Sequence, residues 1–211
     1  MTSVPDATSA LILADQRFEE LRARYGEPRL TRDSTRGGES TEVKGSPFET
    51  LVRTVVSQQL SGTIADRLFE RIDFLCGGEL SPDAVVGVGR EGLVSIGLSR
   101  AKAQSIHELA GKIVDGELVL SNFESMSDEE VTHLLLQLRG FGPWSAHMFL
   151  IFHLGRLDIW PSGDLGVRKG LSRLLEAPAI LGPQETQLHG ERWRPYRTIA
   201  AWYLWRLADG G

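Results

Sequence analysis

The 211-residue sequence predicts an all-α protein, and three observations support this fold class. Apolar residues recur at the spacing of a helix face along most of the chain. Serines at N-cap positions open several of these stretches, often followed by Pro or by a Glu three residues later. The one short strand-like stretch, ELVLSNF at residues 117–123, stands alone, and we expect it to extend a loop. We therefore predict at least nine helices and essentially no sheet.

The helix starts can be placed one after another along the chain. A polar, Gly/Ser/Thr-rich loop at 31–45 precedes the first core helix, which begins with the capping box Ser46 to Glu49. A second helix begins at Ser61 and stops at Gly77. Three further N-cap candidates are Ser81, Ser99 and Ser127.

The stretch LRGFGPWSAHMFL, residues 138–150, interrupts the helical pattern with two glycines and a proline. The helix from Ser127 ends near Leu138, and Pro143 opens the next helix, which runs to Leu154. The first N–H groups of that helix, at about 142–146, lack helical acceptors and could bind an anion. Two interpretations remain open: a phosphate-binding helix-hairpin-helix, or an ordinary tight turn between core helices.

Asp164 in the stretch WPSGDLGVRKGLSRLL directly precedes another amphipathic helix. Aspartate is a good N-cap, so capping is one sufficient explanation. The alternative is a carboxylate that points into a cleft, where it would stabilise a developing cation or orient a water. The residues alone leave both open.

Composition narrows the class of protein. The formal net charge of −5 excludes a global basic field, so a nucleic-acid partner would need a local basic patch, such as Arg192, Arg194, Arg197 and Arg206. The single cysteine, Cys76, excludes a cysteine-ligated iron–sulfur cluster. We find no apolar run of about 18 residues and no signal peptide, and we expect a cytoplasmic protein without a membrane partner.

Five stretches occur in register: TVVSQQLSGTIADRL, IGLSRAKAQSIHELA, LRGFGPWSAHMFL, DIWPSGDLGVRKG and ERWRPYRTIAAWYLWR. Over roughly residues 45–207 they resemble the helix-hairpin-helix DNA glycosylase superfamily, most closely its 3-methyladenine DNA glycosylase II branch. The resemblance implies two helical subdomains flanking a cleft, formed by 1–45 with 156–211 and by 46–155, with the helix-hairpin-helix at about 127–154. It also implies a monomer that binds double-stranded DNA containing alkylated bases.

The activity that the resemblance implies is excision of alkylated purines, of the 3-methyladenine and 7-methylguanine type, after base flipping. Asp164 falls on the catalytic aspartate of the family. Trp144 falls where members that also cut the backbone carry a Schiff-base lysine, so the abasic site would be left uncut. The alternative is a non-catalytic module that recognises damaged or bent duplex, and a third reading is a helical interaction protein that never meets DNA.

Further site residues follow from matched positions. The resemblance implies that no cofactor is required, and that the hairpin could hold a structural Na⁺ or K⁺. The implied base pocket is Trp144, Trp205, Phe48, Met148 and Leu165; the wedge in the minor groove is Gln58, Gln59 and Ser61; the phosphate contacts are Gly140, Gly142, Trp144, Ser145, Ala146 and Lys102; and the cation ligands are the carbonyls of Leu136, Leu138 and Phe141.

Two departures from the family pattern affect the implied substrate range. Only about 45 residues precede the core, so the extra mixed-sheet domain of a bacterial member is expected to be lacking. Met148 and Leu165 stand where that member has aromatic residues, which makes the implied pocket less aromatic.

Overall fold

The computed structural model describes residues 2–30, 45–60 and 62–210. Throughout these ranges the chain is helical with connecting turns and contains no strand, so the all-α prediction is confirmed. The ELVLSNF stretch continues into a 3-10 turn at Leu120–Ser125. The predicted loop at 31–45 falls almost wholly outside the described residues, as does Ser61.

The chain divides into two compact units, Met1–Val43 with Leu150–Gly211, and Lys44–Phe149. We call them the terminal unit and the central unit. The sequence placed these divisions at 45/46 and 155/156, a few residues further along the chain. The second division lies inside a continuous helix, where no change of composition marks it.

The central unit begins with a helix whose apolar face is buried, including Phe48, Leu51 and Val52. The predicted capping box is present, because Ser46 accepts from the Glu49 N–H and the Glu49 carboxylate accepts from the Ser46 N–H. A second capping box joins Ser127 and Glu130 in the same way. The helices of this unit are α3 (Pro47–Ser57), α4 (Gly62–Leu75), α5 (Pro82–Ser95, kinked at Gly89), α6 (Arg100–Val114), α7 (Asp128–Leu136) and most of α8 (Pro143–Phe152).

The terminal unit is built around its last helix, which is buried from Arg197 to Trp205. Gly170 allows a neighbouring helix to approach this backbone, because a Cβ at that position would overlap the carbonyl of Leu204. Trp193 packs edge to face on Phe18 with ring centroids 5.1 Å apart, which joins the N-terminal helices to the same core. The helices are α1 (Val4–Ala14), α2 (Arg17–Tyr25), α9 (Leu165–Leu174), α10 (Pro183–Gly190) and α11 (Arg197–Asp209).

Candidate active site

Asp164 is the N-cap of α9, as the sequence predicted. Its Oδ1 accepts a hydrogen bond of 2.9 Å from the backbone N–H of Val167. Its own backbone carbonyl accepts the N–H of Arg168 at 3.0 Å, which starts the helix. The carboxylate is half-buried and fixed at the positive end of the helix dipole, where a negative charge is stabilised.

Trp205 on α11 holds the same carboxylate from a second direction. Its indole Nε1 donates to Asp164 Oδ1 at 2.8 Å. Its ring lies 5.7 Å from that of Phe152 between centroids, at an interplanar angle of 32°. The sequence assigned Trp205 to a base pocket, but gave no sign that it orients the aspartate.

Gly166 makes this contact possible. A Cβ on Gly166 would lie 2.7 Å from Trp205 Cδ1 and 3.1 Å from Asp164 Oδ1, so any other residue would displace the indole. Sequence reasoning missed this residue. The signal was present, since a glycine in the first turn of an otherwise good helix lowers helix propensity and needs a packing reason. Leu165, beside it, is 51% exposed.

The hairpin between α7 and α8 belongs to the central unit. Gly140 has φ +80°, and a Cβ there would overlap the hydroxyl of Ser105, so glycine is required on both grounds. The carbonyl of Leu138 accepts the N–H of Phe141 at 3.2 Å, which closes the turn. Leu136, whose carbonyl is one of the three implied cation ligands, has an exposed side chain.

The structure corrects one part of the predicted phosphate contact. The N–H of Ala146 donates to the carbonyl of Gly142 at 3.1 Å, because α8 begins at Pro143 and Gly142 is the residue before its first turn. Ala146 thus makes an ordinary helix bond, and the predicted series of unpaired donors ends before it. Pro143 has no N–H, so it offers no backbone donor either, and the predicted phosphate contacts at Gly142, Trp144 and Ser145 stay a prediction.

Gln58 binds the hairpin instead of projecting from its turn. Its Nε2 donates to the carbonyl of Gly140 at 2.7 Å and to the hydroxyl of the buried Ser145 at 3.0 Å. Gln59 is exposed and has φ 58°, a left-handed conformation that is costly for a glutamine. The two neighbouring glutamines, predicted to act together in the minor groove, therefore differ in their environments.

Lys102 on α6 supports the turn after α3 that carries Gln58 and Gln59. Its Nζ donates to the carbonyls of Val56 and Gln58, both at 2.8 Å. Burial lowers the pKa of this ammonium. Lys102 thus ties down the end of α3, which the sequence did not predict, and at most one of its three N–H donors remains for a phosphate.

The remaining pocket candidates lie mainly in the central unit. Phe48 and Met148 are buried there, at 3% and 8% exposure, and Trp144 is half-buried. Their predicted role as a shared base pocket stays a prediction.

The predicted basic face at the C-terminus is partly neutralised in the structure. Arg197 is 8% exposed and pairs with Asp158, with Nε 2.7 Å from Oδ1. Arg194 pairs with the other oxygen of Asp158 at 2.9 Å and with Glu191 at 2.8 Å. Asp158 is 36 residues from Arg194 and 39 from Arg197 in the sequence, so the predicted basic patch counted the charge of these two arginines without their partner.

The described part of the chain has neither a metal-binding cluster nor a membrane-spanning helix. There, no group of three or more His, Cys, Asp or Glu side chains is arranged to hold a metal ion. Nor is any helix in those ranges long and apolar enough to cross a membrane.

Comparison with known proteins identifies the family of the chain. The HhH-GPD superfamily of base excision DNA repair proteins matches residues 52–195, and the chain belongs to this family. It is 35% identical over 172 residues to DNA-3-methyladenine glycosylase 1 of Schizosaccharomyces pombe, covering 79% of this chain and 75% of that protein.

Solved structures give the same result. The 3-methyladenine DNA glycosylase of the same yeast, in complex with abasic DNA, has a TM-score of 0.82 and 32% identity, covering 95% of both chains. A DNA-3-methyladenine glycosidase of Bacillus halodurans has a TM-score of 0.78 and 31% identity, covering 96% of this chain and 88% of that one.

Proposed function

We propose that this protein is a monofunctional DNA glycosylase that releases alkylated purines and leaves an intact strand with an abasic site. The observation that carries the proposal is the carboxylate of Asp164, which receives two hydrogen bonds on one oxygen in a member of a base excision repair family. The relatives named for 3-methyladenine support the choice of substrate class.

The proposed reaction needs little acid catalysis from the protein. An N3- or N7-alkylated purine carries positive charge, so it leaves as a neutral base when the bond from C1′ to nitrogen breaks. The electron pair goes to the base, and the sugar develops oxocarbenium character. Asp164, as a carboxylate, stabilises that charge and orients the water that adds to C1′. The proton of the water passes to Asp164 or to solvent.

Base recognition follows from charge and shape. The target base must leave the duplex stack to reach the carboxylate. Trp205 and Trp144 offer π-faces that attract a cationic purine over a neutral one. Gln59, exposed on its turn, fills the gap in the duplex, and the hairpin backbone holds a phosphate. Phe48, Met148 and Leu165 complete an apolar pocket in this proposal.

No Schiff-base chemistry is proposed, because Trp144 supplies no amine. The carbonyls of Leu136, Leu138 and Phe141 would hold a monovalent cation, which would supply positive charge for the binding of a phosphate. The Leu138 carbonyl has a second lone pair beyond its bond to Phe141, which is compatible with such a ligand. We also propose that the protein acts as a cytoplasmic monomer.

Base release from methylated duplex DNA tests the proposal. The wild-type protein should release free 3-methyladenine, leave the strand uncut until alkali is added, and form no borohydride-trapped adduct. An Asp164→Asn variant that binds the duplex without releasing base is the control. Release by neither protein, with duplex binding intact, would favour the non-catalytic DNA-binding module.

A further inference from the structure

A cavity of about 420 Å³ in the central unit is unassigned by the function proposed above, except that one of its lining residues, Lys102, is among the implied phosphate contacts. It lies among α4, the turn before α6 and the turn after α3, and we call it the α4–α6 cavity. Its walls combine cationic and apolar side chains, and none of its nine lining residues is acidic. They are Leu60, Ile64, Arg67, Leu68, Arg71, Gly97, Leu98, Ser99 and Lys102.

The cations of the cavity are arranged by helix geometry. Arg67 and Arg71 are four residues apart on α4, so their side chains lie on one face. Like charges at this spacing destabilise a helix slightly, which a bound anion would reverse. Arg71 Nη1 donates to the carbonyl of Ile96 at 3.2 Å, which directs its guanidinium to the cavity rim.

Arg67 differs from most arginines among the described residues. It is exposed, and within the described ranges it has no hydrogen-bond or ion-pair partner. By contrast, Arg53 pairs with Asp66 on α4 itself, and Arg90 pairs with Glu91. A guanidinium without a carboxylate, beside a second cation, is the arrangement that recognises a phosphate.

The apolar walls indicate what accompanies the anion. Ile64 is 50% exposed at the cavity, and Leu60 lies beside it on the turn. A bare inorganic phosphate would gain nothing from these side chains. A phosphodiester flanked by deoxyribose rings would bury them while its oxygens meet the arginines.

We propose that the α4–α6 cavity binds a phosphodiester of the DNA backbone, separate from the phosphate held by the hairpin. The inference rests on the proposed function, because it needs a duplex as ligand. Lys102 lines the cavity and also donates to the carbonyl of Gln58, next to Gln59. A phosphate here would therefore clamp the backbone beside the turn that enters the minor groove.

The test is the salt dependence of binding to a duplex that contains an abasic-site analogue, measured by fluorescence anisotropy. Arg67→Gln should weaken binding about tenfold at low salt and lower the slope of log K against log salt by about 0.9, the value for one lost phosphate contact. Arg71→Gln should do the same, and Arg67→Lys should keep most of the slope.

Arg90→Gln is the matched control, because it removes one exposed positive charge from the same unit outside the cavity. It should leave affinity and slope unchanged. Circular dichroism melting of each variant excludes misfolding, and Arg67→Gln should melt like the wild type. If Arg67→Gln and Arg90→Gln bind alike, the inference is wrong.

Inorganic phosphate and a deoxynucleoside monophosphate distinguish the source of the phosphate. Binding of either to the free protein, lost in Arg67→Gln while duplex affinity is retained, would assign the cavity to a small ligand and overturn the DNA assignment. If the wild-type protein does not bind the duplex, both the proposed function and this inference are wrong. If the wild-type protein and Arg67→Gln bind the duplex equally well, only this inference is wrong.

Discussion

Trp205 and Asp164 are joined by a hydrogen bond of 2.8 Å from the indole Nε1 to Oδ1. The same oxygen accepts the N–H of Val167, so one carboxylate oxygen receives donors from both α9 and α11. Rotation of the carboxylate would break both bonds. The geometry of the proposed catalytic group is therefore set by the packing of two helices, with Gly166 at the contact.

Trp205→Phe should lower the rate of base release while sparing DNA binding. Phenylalanine keeps a ring next to Phe152 but removes the donor to Asp164. A hydrogen bond to a charged group contributes roughly 1.5 kcal/mol, and about 1.4 kcal/mol on the barrier is tenfold in rate. We expect a roughly tenfold slower single-turnover release, with little change in the substrate concentration at half-saturation. An effect confined to that concentration would mean that Trp205 only contacts the base.

Asp164→Asn and Asp164→Ala should separate capping from catalysis. Asparagine caps a helix about as well as aspartate, whereas alanine loses about 1 kcal/mol. Both variants should lose base release by at least about 100-fold, the scale of removing one electrostatic group. Only the alanine variant should also melt at a lower temperature. Wild-type release by the asparagine variant would exclude Asp164 as the catalytic group.

The helices were predictable because their signals are local. Capping boxes, apolar periodicity and Pro at helix starts placed Ser46, Ser127 and Pro143 within a residue or two. The N-cap role of Asp164 was predictable for the same reason. Its proposed catalytic role came from the family resemblance, because the local pattern left capping as a sufficient explanation.

The side-chain contacts were not predictable, because they join positions far apart in the sequence. Gln58 and Gly140 are 82 residues apart, and Asp164 and Trp205 are 41 apart. No periodicity within one helix carries such information. The pairing of Arg197 with Asp158 was missed for this reason, and the charge of the C-terminal stretch was overestimated.

Gly166→Ala should destabilise the protein and slow base release. Alanine is favoured over glycine in a helix by about 1 kcal/mol, so the intrinsic effect would be stabilising. At this position the Cβ would lie 2.7 Å from Trp205 Cδ1, and the indole must move away from Asp164. Gly111→Ala in α6 is the matched control, since no atom lies within 4 Å of its Cβ. The melting temperature should fall for Gly166→Ala and rise for Gly111→Ala, and equal shifts would contradict the proposed packing role.

Gln58 and Gln59 should respond in opposite ways. Gln58→Ala removes two hydrogen bonds to the hairpin and leaves the Gly140 carbonyl without that donor, which should cost about 1–2 kcal/mol of unfolding free energy.

Gln59→Gly relieves the positive φ and should be neutral or stabilising. Because Gln59 is the proposed wedge, the glycine variant should still release base several-fold more slowly from duplex, but normally from single-stranded methylated DNA. Urea denaturation and paired release assays on the two substrates measure these effects. A Gln59→Gly variant that matches the wild type on duplex would show that another residue fills the gap left by the flipped base.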